Sequence, residues 1–322
     1  MSLQSKILLK LSLICVMFTN IAAFAQPILF AQNGAVTALD IPLIIAKEKG
    51  MFEKRNLDVG NYIQFGNTAT TMVAVSTGQV QFTNISMYTI IQAHYNLPVV
   101  LLARPIAAAS ALLYSVNNIK KVSDLKGKTV AVGGNNDSTR MYAEIILRNE
   151  GIDPDKDIKW FYSGDSSLRL SSMQSGLIDG AILMPPYNFI ADKSGLNKLS
   201  LTTNIKNVVH KSLVFNSDWA LSNTEKVKLI TEAIDESINW LYDIKNRNEA
   251  IAILSKVSNI SMDESSIAFD WVIAQKSYII EPEIKRSMVE DFVKTGKNWG
   301  TIPMEKNIPI EKIVVTTAKI ID

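Results

Sequence analysis

The chain has 322 residues, 47% of them hydrophobic and 20% charged, which is enough apolar content for two cores at roughly 100–200 residues per domain and too much for a disordered chain. The formal net charge is +2, and falls to zero in the mature chain expected below, which argues against nucleic acid and anionic membrane as partners.

The first residues carry Lys6 and Lys10, the apolar run from Leu11 to Phe18, polar Thr19 and Asn20, and the small-residue site Ala23, Phe24, Ala25. This is the layout of a secretory signal peptide, expected to be cleaved after Ala25, and the apolar run is too short to span a membrane. The only cysteine, Cys15, lies inside that segment, so the mature chain is expected to hold no disulfide, thiolate metal site or cysteine nucleophile. Ile14 before it, in place of a small residue, argues against a lipid anchor. Cleavage removes two lysines and no acid, leaving 31 basic and 31 acidic residues. No later stretch approaches the ~20 apolar residues of a membrane span, so an extracytoplasmic location, the periplasm, is expected.

Ile28 to Ala31 predicts a first strand, Gln32 to Leu39 a loop, and Asp40 to Lys49 a helix with Asp40 as its cap, Pro42 in its first turn and Gly50 at its end. Gly66, Asn67 and Thr68 start a helix that stops at Thr77 and Gly78, Val80 to Thr83 follows as a strand, and Asn84 to Ser86 open another helix. The pattern returns at Gly164, Asp165 and Ser166, with a helix to Ser175 and Gly176 and a strand from Ile178 to Met184. The flanking glycines are 12 residues apart in both copies and the copies are offset by 98, which predicts two lobes of related architecture. Pro98 to Ala103 and Ala111 to Val116 are further strands.

Between the copies, GKTVAVGGNNDSTR (residues 127–140) reads as strand, glycine turn and helix start. The first backbone N–H groups of that helix would point into the crevice at the strand's carboxyl end, where a polar or anionic group is favoured. A strand near Ile158 to Phe161 precedes the second copy, and Pro185 and Pro186 stop the strand after it, leaving Tyr187 and Asn188 at its carboxyl end. From Ser212 the strand LVF leads back, and the remainder is helical. Ser222 with Glu225, and Ser261 with Glu264, fit capping boxes; Val227, Ile230, Ile234 and Leu241 mark a buried face; Asn248 is expected to cap EAIAILSKV; and Pro282 opens a helix closed by Gly296. Trp240, Trp271 and Trp299 are expected in core packing.

IPLIIAKEKGMFEKRNLDV, GNTATTMVAVSTGQVQF, VSDLKGKTVAVGG, MQSGLIDGAILMPP and NEAIAILSKV, in this order and spacing, resemble the nitrate, sulfonate, taurine and thiamine-precursor branch of periplasmic substrate-binding proteins of ABC importers. The resemblance implies an α/β chain of the periplasmic-binding-protein type II fold: two lobes, a ligand cleft between them, and a helical C-terminal part completing the first lobe. The expected division is 1–25 signal peptide, 26–116 first part of lobe 1, 117–210 lobe 2 and 211–322 second part of lobe 1. It also implies a monomer that takes a small-molecule ligand and passes it to an ABC permease. The cleft would be lined at Asn33 and Thr37; at Gly66, Asn67 and Thr68; at Ser86; at Asn136, Asp137, Ser138, Thr139 and Arg140; and at Pro186 and Tyr187. One departure is Pro185, where the family often has an acidic or aromatic residue before the proline.

His94 and His210 are isolated from each other and from acidic clusters, no GxSxG elbow occurs, and GGNNDSTR lacks the lysine of a P-loop. Metal, nucleophilic and nucleotide chemistry are thus unsupported, no cofactor is expected, and a binder is expected in preference to a pyrimidine-precursor synthase on the same fold. Helix starts at Thr68, Ser86 and Ser138, with Arg140 one turn on, favour a small sulfonate-like oxyanion. Asp137 beside the same donors could cap the helix itself, and Tyr187 with Tyr88 could instead stack on a planar pyrimidine.

Overall fold

The structure is a computed structural model that describes residues 26–96, 100–108, 112–135, 137–201, 209–298, 300, 302–307 and 309–322. Residues 1–25, where a signal peptide is expected, lie outside the described residues, as do Asn136, Trp299 and the side chain of His94.

Among the described residues, ten strands build two five-stranded sheets: β1 (Phe30–Asn33), β2 (Ile63–Phe65), β3 (Phe82–Ile85), β4 (Val100–Ala108), β5 (Leu112–Ser115), β6 (Thr129–Val132), β7 (Lys159–Tyr162), β8 (Gly180–Leu183), β9 (Asn197–Leu201) and β10 (Val209–Asn216). The first sheet has the order β2-β1-β3-β10-β4 and the second β7-β6-β8-β5-β9. In each, three parallel strands are followed by one antiparallel strand that arrives from across the molecule, β10 against β3 and β5 against β8. The central strands are buried, GAIL along its whole length and TVAV in all but Thr129, because helices cover both faces of a largely parallel sheet. The chain changes sheet between Ala108 and Leu112, ahead of the 116/117 division expected, and again between Leu201 and Val209.

The 98-residue repeat is physical. Helices Thr68–Ser76 and Ser166–Gln174 are capped by Asn67 and Asp165, whose side chains accept from the Thr70 and Leu168 amides, and they end before Gly78 (φ 76°) and Gly176 (φ 75°). A left-handed residue after a helix favours glycine, so the glycine spacing was a sound marker.

The C-terminal helices wrap the first sheet: Thr224–Tyr242 packs on Ile41–Glu48, and Arg286–Asn298 on Met87–Asn96. Val227, Ile230, Ile234 and Leu241 form the buried face as expected, the Ser261–Glu264 capping box is present, and Trp240 and Trp271 are half-buried against the core. Three expected boundaries differ. Ser222 ends a short helix, Ser217–Ser222, and Asn223 holds the next N-cap position without a cap bond, so no Ser222–Glu225 box forms. Asn248 lies inside a helix that begins at Arg247. Pro282 precedes a two-residue strand at Ile284–Lys285, and Gly296 sits buried within helix Arg286–Asn298, where tertiary packing overrides its weak helix propensity.

Candidate functional site

The carboxyl ends of β1, β3, β6 and β8 face one another across the space between the sheets, the position where open α/β sheets bind ligands. A cavity of about 50 Å³ lies there, lined by Asn33, Ile85 and Ser86 from the first sheet's strand ends and by Ser138, Ser166 and Met184 from the second's. That is far below the ~300–1,000 Å³ of drug-sized pockets and suits a compact solute. The lobes touch directly around it: Thr68 Oγ1 donates to Asp137 Oδ2 (2.6 Å), the Ala38 amide donates to the Pro185 carbonyl (3.1 Å), and Gly164 lies so close to Gly66 that a Cβ there would strike the Gly66 carbonyl oxygen. Gly34 also needs to be glycine, since its φ is 65° and a Cβ would meet the Asp165 Cβ at 3.1 Å.

The charged lining is mixed. Asp40 is fully buried; its Oδ2 accepts from the Thr37 amide (2.9 Å) and hydroxyl (2.6 Å), and its Oδ1 lies 2.6 Å from Lys211 Nζ, whose side chain is 6% exposed. This explains why Asp40, placed at a helix N-cap, makes no cap bond. Asp137 is the cap of helix Ser138–Asn149: its Oδ1 accepts from the Thr139 amide (2.8 Å) and hydroxyl (2.5 Å). Arg169 is buried and donates to the Ile182 and Ser163 carbonyls and to Ser166 Oγ. Burial pulls its guanidinium down to about 10, against the opposing pull of Asp137 and Asp165. His210 Nδ1 sits 3.1 Å from the Tyr142 hydroxyl, and burial first, then Lys211 and Arg169, hold the imidazole well below 6.5. Ser86 Oγ and Thr89 Oγ1 are buried and line the cavity; Ser86 has the Tyr142 hydroxyl as its neighbour, while Thr89 Oγ1 has no hydrogen-bond partner among the described residues, a costly state for a buried hydroxyl unless a bound molecule or water meets it.

Of the residues expected at the cleft, Asn33, Thr37, Thr68, Ser86, Asp137, Ser138 and Thr139 line this cavity. Asn67 serves as a helix cap at its rim, Gly66 lends its carbonyl to the contact between lobes, and Asn136 lies outside the described residues. Arg140 is turned away: it pairs with Glu144 and Asp155, donates to the Tyr162 hydroxyl and stacks on Trp160 at 3.9 Å. Pro186 holds the N-cap of helix Tyr187–Lys193, and Tyr187 and Tyr88 are packed into the core, so neither tyrosine offers a face to a planar solute. Asp40, Thr89, Asp165, Arg169, His210 and Lys211 were missed. The repeat could have found Asp165 and Ser166, since they stand 98 residues after Asn67 and Thr68.

Residues 40–247, from Asp40 through Lys211 and beyond, match the family described as NMT1/THI5 like. The chain belongs to that family. Among relatives of this NMT1/THI5-like chain, YtlA of Bacillus subtilis, described as a binding protein, is 22% identical over 85% of this chain and 83% of its own. The alkanesulfonate-binding protein SsuA from Xanthomonas axonopodis pv. citri superposes with a TM-score of 0.73 at 14% identity, covering 91% of this chain and 98% of that one. The periplasmic nitrate-binding protein NrtA from Synechocystis PCC 6803 superposes with a TM-score of 0.75 at 16% identity, over 91% and 85%. The fold is that of the periplasmic binding proteins. Among the described residues, no helix is long and apolar enough to cross a membrane, and no group of three or more His, Cys, Asp or Glu side chains could hold a metal ion.

Proposed function

We propose that this chain is the periplasmic substrate-binding component of an ABC importer and that it holds, without altering it, a small solute bearing an anionic group. The observation that carries the reading is Lys211: a buried ammonium that commits one contact to Asp40 and shares the cavity with the buried hydroxyls of Ser86 and Thr89. A carboxylate or sulfonate oxygen would complete all three. Binding without turnover is supported by how the acids are engaged, since Asp40, Asp137 and Asp165 each accept from backbone amides and hydroxyls and are not aimed at one another as an acid and base pair. The names of SsuA and NrtA, both anion binders, point the same way. A pyrimidine is the less favoured ligand, because among the described residues the cavity lining contains no Phe, Tyr or Trp to stack on it. The signal peptide expected over residues 1–25 fits delivery to the periplasm.

Native mass spectrometry of protein purified without refolding, followed by calorimetric titration with small carboxylates and sulfonates, tests this. A retained or titrated anion that leaves the protein chemically unchanged is expected. A product that depends on intact protein, or a site that takes only uncharged solutes, would overturn it.

A further inference from the structure

Polar groups of both signs open onto this cavity. On the first-lobe side stand Lys211 Nζ and the hydroxyls of Ser86 and Thr89, residues that are 4% and 6% exposed. On the second-lobe side stands Asp165. Its Oδ1 accepts from the Leu168 amide (2.9 Å) and from Ser167 Oγ (2.6 Å), while its Oδ2 accepts no hydrogen bond among the described residues. The adjacent Arg169 does not neutralise it by direct contact, because its nitrogens are turned onto Ile182, Ser163 and Ser166. The lining therefore carries three carboxylates, Asp40, Asp137 and Asp165, against two cations, Lys211 and Arg169, while His210 stays uncharged near neutral pH. Among the helix starts around the cavity, those at Ser138 and Ser166 already hold a carboxylate as their cap, so their positive ends are spent on the protein's own acids.

A solute carrying only negative charge would find Lys211 but would also close three acids around itself. A solute with a cationic nitrogen a few bonds from its anionic group would balance the excess and occupy the open oxygen. We propose that the ligand is a small zwitterion, with its anionic end on Lys211, Ser86 and Thr89 and its cationic nitrogen on Asp165. This rests on the solute-binding reading above and narrows it.

The test is calorimetric titration of the full mature chain with two matched pairs: 3-aminopropionate against propionate, and 2-aminoethanesulfonate against ethanesulfonate. In at least one pair the amine-bearing member should bind about tenfold tighter or better. Asp165→Asn keeps an oxygen that can cap the helix but removes the charge, and should cut that preference to about threefold or less. Propionate or ethanesulfonate binding as tightly as its amine partner would overturn the zwitterion while upholding an anion-bearing solute. A preference unchanged in Asp165→Asn would remove Asp165 from the assignment. Failure of all four probes, with no solute retained in native mass spectrometry, would overturn both readings.

Discussion

Thr68 Oγ1 and Asp137 Oδ2 are 2.6 Å apart, and the bond between them joins the capped end of a first-lobe helix to the capped end of a second-lobe helix. Asp137 thus caps its own helix and fastens the lobes together. Asp137→Ala should remove both contributions, lowering stability by ~1 kcal/mol through the lost cap and shifting the population toward open lobes. Asp137→Asn, which can still cap, should spare most of the stability. Denaturant titration separates the two variants, and equal losses in both would show that the cap is not what Asp137 contributes.

The Asp40–Lys211 pair is buried on both sides. Lys211→Met leaves a buried carboxylate with only Thr37 to satisfy it and should cost about 3–5 kcal/mol, as well as abolishing solute binding. Adding Asp40→Asn should recover a large part of that stability without restoring binding. A double variant no more stable than Lys211→Met would mean that the pair is not coupled as its geometry indicates.

Gly164 fits against the Gly66 carbonyl only because it lacks a Cβ. Gly164→Ala should hold the lobes apart while each folds normally, weakening solute binding by about tenfold or more. Small-angle scattering at a saturating concentration of the tightest probe should give a larger radius of gyration than wild type. Indistinguishable profiles and affinities would remove this contact from the closing surface.

His210 supplies a pH dependence whose sign is fixed by its burial. Its folded pKa is held well below 6.5, so on acidification the unfolded chain takes up a proton that the folded chain refuses. Stability is full above about pH 6.5 and falls as the pH drops toward the folded pKa, by at most about 1.4 kcal/mol per pH unit from this group. Between about pH 7 and about pH 5, wild type should lose stability faster than His210→Gln. Parallel curves for the two proteins would assign the acid sensitivity elsewhere.

What was legible in the sequence was the chemistry written into short stretches. Asn67, Asp165 and Ser261 declare helix starts through their own side chains, and Gly78 and Gly176 mark stops through their backbone conformation. Direction was not legible. Arg140 and Arg169 both follow a capping aspartate closely, yet Arg140 turns out toward Trp160 and Glu144 while Arg169 turns in beneath the cavity. Local spacing does not say which face of a helix meets the other lobe. Lys211 was invisible for another reason: it reaches Asp40 from a strand 171 residues away, and only the antiparallel return of β10 beside β3 brings these two first-lobe residues, far apart in the chain, to one place.

That return of β10 also dictates the order in which the molecule can be completed. All five strands of the second sheet come from one continuous run, Leu112 to Leu201, whereas the first sheet, begun at Phe30, lacks the strand between β3 and β4 until residue 216 is available. A chain that emerges N-terminal end first will therefore finish the lobe it starts second, and its opening strands must wait as an unclosed edge until the second lobe is complete.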